Sequence, residues 1–85
     1  MFRTVNITIY STFDNFVNRI IESEKEFKVY DPDHFAETIR NNVSESLSQK
    51  LIDDVLWSRK LKCCDVCEQS KKVYSVTVGK MKKSS

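Results

Sequence analysis

Three cysteines within five residues, Cys63-Cys64-Asp65-Val66-Cys67, are the first side chains whose types and spacing could do chemistry. Cys64 and Cys67 have the C-x-x-C spacing at which two thiolates can meet one zinc ion. A closed zinc site takes four ligands, and the chain has no second C-x-x-C; its one imidazole, His34, would have to arrive from a distant segment. A thioredoxin-type redox pair needs its thiol at a helix N-terminus, whereas this cluster follows an expected helix and precedes a polar loop. Clustered thiols in odd number also make a poor disulfide framework, and adjacent Cys63 and Cys64 would close a strained ring. Reduced thiols partly buried beside a core are the commoner outcome, so no metal and no cofactor is expected.

The other reactive types are sparser. His34 lies among Asp31, Asp33 and Glu37, an acidic cluster that the positive end of a helix explains without catalysis. One glycine in the whole chain excludes phosphate loops and dinucleotide fingerprints, which need several close together. A catalytic centre needs a water-excluding cleft, which 85 residues rarely enclose. The expectation is a protein with no catalytic residues, not an enzyme.

Charge is distributed unevenly. Up to Trp57 the chain has six basic and ten acidic residues, a net of −4. From Ser58 onward Arg59, Lys60, Lys62, Lys71, Lys72, Lys80, Lys82 and Lys83 face only Asp65 and Glu68, a net of +6, which together give the +2 of the whole. If these cations converge they could neutralise several phosphates, with Trp57 and Tyr74 adding stacking on unpaired bases. The competing reading is a solvated face: cations at a helix C-terminus complement its dipole, and lysines on an edge strand guard against aggregation.

The elements that must position these residues follow from periodicity. Arg3 to Tyr10 alternates as a half-buried strand, with Val5, Ile7 and Ile9 on one side. Phe13, Phe16, Val17, Ile20 and Ile21, with Ser11 as cap, predict an amphipathic helix over residues 12–26. Lys28 to Tyr30 reads as a short extended piece, and Asp31-Pro32 as N-cap and first residue of a second helix. Phe35, Ile39, Val43, Leu47, Leu51 and Val55 recur every four residues, a row that drifts about 40° per step on a continuous helix. Asn41-Asn42 and the caps Ser44 and Ser46 favour a break, with a third helix over residues 46–59 burying Leu47, Leu51, Ile52, Val55 and Leu56. Leu61 to Cys67 is extended or turn-like, residues 68–72 a hairpin loop, and Val73 to Val78 a strand.

The expected fold is α+β: a small antiparallel sheet with helices on one face, in the order β-α-α-α-β-β. Residues 1–79 form one domain and 80–85 a flexible basic tail. No apolar run approaches a membrane span and no signal-peptide centre is visible, so a cytoplasmic protein is expected, with no membrane partner. So small a core makes a homo-oligomer a natural expectation.

The overall character, short, rich in Ile, Asn, Lys and Ser and nearly without Gly and Pro, with segments such as Phe13-Asp14-Asn15-Phe16-Val17-Asn18-Arg19-Ile20-Ile21, resembles the small counter-defence and accessory proteins of T-even bacteriophages. The resemblance covers general character rather than a motif, so it transfers no residue role. It implies a protein of the host-cell cytoplasm that disarms a host toxin or enzyme, and one such factor binds RNA and a ribonuclease toxin. Two roles follow. One is an RNA or other nucleic-acid binder acting through the basic third. The other is an inhibitor of a host partner protein, using an acidic helix face between Glu22 and Glu37.

Overall fold

The computed structural model describes residues 1–55, 57 and 59–83. Its elements run β1 (Phe2–Tyr10), α1 (Phe13–Val17), β2 (Ser23–Val29), α2 (Pro32–Asn42), α3 (Glu45–Asp54), β3 (Lys62–Val66) and β4 (Val73–Lys82). The strands form one antiparallel sheet in the order β2-β1-β4-β3, so the first and last strands lie side by side in its middle. The fold is α+β, as expected, with one strand more than the sequence predicts. No helix among the described residues is long and apolar enough to cross a membrane.

Alternation works as the residue pattern requires. Val5, Ile7 and Ile9 pair with Val78, Val76 and Tyr74 on one face, which α2 and α3 cover. Asp31 caps α2, its carboxylate accepting from the His34 N–H at 2.7 Å, and Pro32 takes the first helical position. The expected break comes at Val43, whose extended backbone (φ −125°, ψ 150°) separates the two helices. That break resets the drift of the four-residue row, so Phe35, Ile39, Val43, Leu47, Leu51 and Val55 are all buried against the sheet. The third helix ends at Asp54, earlier than predicted, and the expected inward position of Leu56 falls outside the described residues.

The helix predicted over residues 12–26 is corrected. Thr12, not Ser11, is the N-cap, accepting from the Asn15 N–H at 3.0 Å, and α1 stops after five residues. Arg19 adopts a left-handed conformation (φ 59°), and the Ile20 N–H bonds back to the Asn15 carbonyl at 2.8 Å, a Schellman-type stop. The chain then turns and Ser23–Val29 adds to β1, from Ile9↔Ser23 to Arg3↔Val29. Seven paired positions along an otherwise bare edge outweigh the continuing helical stripe, which beyond Ile21 has little left to bury.

The tail assignment is also corrected. β4 continues through Gly79 with a bulge opposite Thr4 and pairs Met81 with Arg3 and Lys82 with Phe2. Lys80 and Lys82 are therefore held on the sheet, while Ser84 and Ser85 fall outside the described residues. The face away from α2 and α3 bears α1 at one end, where Phe16 meets the Tyr10 ring edge-on at 5.1 Å. No described helix lies over the other end.

Candidate nucleic-acid interface

At the uncovered end of the sheet, register brings together residues far apart in the chain. Phe2 is paired with Lys82 in β4, and Thr4 with Lys28 in β2, so all four share the open face. The Lys28 ammonium lies 5.2 Å from the Phe2 ring centroid. Tyr30 follows with its ring 6.0 Å from Phe2, more than half exposed, and His34 stacks parallel to it at 5.8 Å. Lys80, next to the bulge, completes a group of three exposed cations around two aromatic rings. Lys62, paired with Thr77, stands on the same face towards the β3 edge. Arg59 and Lys60, both exposed, lead into β3 beside the Leu61 carbonyl that accepts from the Val78 N–H, and Lys83 follows β4.

The remaining predicted residues do not join this group. Lys71 and Lys72 occupy the β3–β4 turn, at the other end of a ten-residue strand that spans about 30 Å. Lys72 is engaged there by Glu22, 3.3 Å away, an acid from the front half of the chain. Trp57 lies away from this group: it packs on the core beside Phe35, and the Arg3 guanidinium lies over its ring at 5.6 Å. Tyr74 is buried in the sheet. The single positive platform is thus corrected to a cluster at one end plus a separate, partly neutralised turn.

Sequence reasoning missed Phe2, Lys28 and Tyr30 as members of the site. Lys28 is embedded in an acidic stretch, and only the pairing of β2 with β1 carries it to the cationic end. The acidic stretch from Glu22 to Glu37 is divided: Glu24 and Glu26, paired with Thr8 and Asn6, stand on edge strand β2 and give the open face an acidic flank, while Asp33 and Glu37 lie on α2.

The residues considered for zinc do not converge. Cys63 is paired with Val76 and turns to the core, whereas Cys64, paired with Ser75, turns to the opposite face. Cys67 is buried in the turn and His34 sits against Tyr30. Among the described residues no three His, Cys, Asp or Glu side chains group to hold a metal. Burial pushes the Cys63 thiol up. Cys67 behaves otherwise. The Ser44 hydroxyl donates to its sulfur at 3.1 Å, Ser46 lies at 3.4 Å, and with Ser70 they bring its pKa down to about 6 against the effect of burial. Nearby, the Lys50 ammonium at 2.6 Å holds the Asp65 carboxyl below its usual range.

Ammonium groups around one exposed and one partly exposed ring on a bare sheet are suited to bind phosphates and stack bases. Compared with known proteins, the chain matches no family model, no curated protein and no solved structure.

Proposed function

We propose that this is a small non-enzymatic RNA-binding protein that acts by sequestering its target, and that its contact surface is the uncovered end of the sheet. The observation that carries the reading is the gathering of Lys28, Lys80 and Lys82 around Phe2 and Tyr30 on a face no helix covers. Unpaired bases stack on such rings for about 1–3 kcal/mol each, and the lysines meet the backbone phosphates between them. Lys62, Arg59, Lys60 and Lys83 extend the positive field along the neighbouring edge. The likeness to phage accessory proteins supports the same role and points to a host ribonuclease toxin as the target whose RNA is contested.

The test is fluorescence anisotropy with a labelled uridine oligonucleotide. Binding is expected to fall by at least about tenfold in the Phe2→Ala/Tyr30→Ala variant and to persist in Lys71→Ala. Equal loss in both, or no binding by the native protein at low salt, overturns the assignment.

A further inference from the structure

The opposite end of the same sheet face has a different chemistry. There α1 and the turn after it leave Phe13, Val17, Ile20 and Ile21 exposed by 56, 60, 56 and 47 %. Together they present roughly 400 Å² of apolar surface, within the roughly 300–600 Å² of the largest such patch on a typical monomer, which is often functional. Between α1 and the sheet runs an open groove of about 570 Å³ lined by Tyr10, Phe16, Val17, Arg19, Ile21 and Lys62. Phe16, Val17 and Ile21 supply its apolar floor beside the Tyr10 ring, polar and apolar surface are both present, and its two charged members are both cations. Among the described residues neither Arg19 nor Lys62 has an ion-pair partner.

We infer that this groove docks an acidic, apolar-anchored segment of a partner protein, whose aliphatic or aromatic side chains fill the floor while its carboxylates meet Arg19 and Lys62. Charge decides against the other occupants. A second copy seated about a two-fold axis would bring Arg19 and Lys62 against their own equivalents, and the patch is about half of the roughly 800 Å² per partner that a standard interface buries. Nucleic acid would find cations and rings here, but Val17, Ile20 and Ile21 crowd those rings with branched aliphatic side chains that give a base no flat face. Helix-in-groove recognition works from a few apolar anchors with charges fixing the register, and this floor with its basic rim has the complementary form. The inference stands apart from the RNA reading in its apolar anchors, Phe16, Val17 and Ile21; Lys62 alone also belongs to the positive edge of that surface, so the Val17→Ser/Ile21→Ser variant separates the two.

A displayed library of random dodecapeptides, selected on the full chain, tests it. Enriched peptides are expected to combine two or more Leu, Ile, Phe or Trp residues with at least two Asp or Glu. A synthetic peptide of that consensus should lose about tenfold in affinity on Val17→Ser/Ile21→Ser, and as much on Arg19→Glu/Lys62→Glu. The charge-swapped protein should in turn prefer the same peptide with Lys in place of its acids. Selection without an acidic–apolar consensus overturns the inference, as does equal binding by the charge-swapped variant. So does a sedimentation equilibrium in which the native chain dimerises and Val17→Ser does not. All four substitutions lie at exposed positions, and an unchanged far-ultraviolet circular dichroism spectrum certifies the fold of each variant.

Discussion

Arg3 lies across the face of Trp57, its guanidinium carbon 5.6 Å from the ring centroid, and donates to the Gly79 carbonyl at 2.8 Å. One side chain thereby ties the first strand, the bulge of the last strand and the segment after α3. Arg3→Ala should cost about 1–3 kcal/mol, from the lost ring contact and the stranded carbonyl together. It should also shift Trp57 emission to longer wavelength. Because the ring is already covered, adding RNA to the native protein should leave that emission unchanged, a direct check on where bases do not stack.

Salt dependence reports how many of the lysines meet phosphate. For single strands each neutralised phosphate contributes about −0.7 to the slope of log K against log salt. Lys28→Ala/Lys80→Ala/Lys82→Ala should flatten that slope by about 2, while Lys72→Ala, already engaged by Glu22, should hardly alter it. Titrations at four or five salt concentrations measure both.

Cys67 makes stability depend on pH in a definite direction. Its folded pKa of about 6 lies below the 9.0 of an unperturbed thiol, so the folded state holds the proton less tightly than the unfolded one. The thiolate's contribution is complete above pH 9, grows between pH 6 and 9, and is lost as pH falls through the folded value. Urea midpoints measured across that window under reducing conditions should rise in the native protein and rise less in Ser44→Ala, which removes the hydroxyl at 3.1 Å. Cys67→Ala should flatten the profile.

Burial and exposure divide the cost of substitutions sharply. Leu51 is fully buried, and Leu51→Ala should destabilise by about 2–5 kcal/mol in chemical denaturation. Asp31→Ala, which removes the cap on α2, should cost about 1 kcal/mol. Lys50→Met should leave the denaturation midpoint nearly unchanged although its ion pair with Asp65 is short, because the lysine side chain is 59 % exposed.

Arg19 spends backbone energy to sit where it does. A non-glycine residue in the left-handed region costs roughly 1–2 kcal/mol, so Arg19→Gly should raise the thermal midpoint by a few degrees. The same substitution removes a cation from the groove, and selected acidic peptides should bind it more weakly. Calorimetry and anisotropy on one variant test both halves.

Much of the helical layer was legible beforehand. The Asp31-Pro32 start, the break before Ser44 and the buried row from Phe35 to Val55 follow from cap chemistry and the 3.6-residue period, both local. The strand Val73 to Val78 was likewise carried by its alternation. Of residues 20–29 only the extended piece at Lys28 and Val29 was legible, because the choice of the rest depends on the bare edge of a strand ten or more positions away. Only Phe27 and Val29 alternate inward there, too few to compete with a helical stripe read in isolation. The candidate interface was half legible for the same reason. Lys80 and Lys82 stand out as charge, but their neighbours Phe2, Lys28 and Tyr30 are set by register, which sequence spacing does not encode.

The central ladder joins Phe2 to Lys82, so the sheet's two middle strands cannot meet until the roughly eighty residues between them have been made. On a ribosome, β1 would emerge well before β4 and wait for it, its apolar side chains unpaired, while helices α2 and α3 form locally behind it. Synthesis rate and chaperone occupancy during that delay, more than the strength of any one contact, then set how much of the product reaches the folded state.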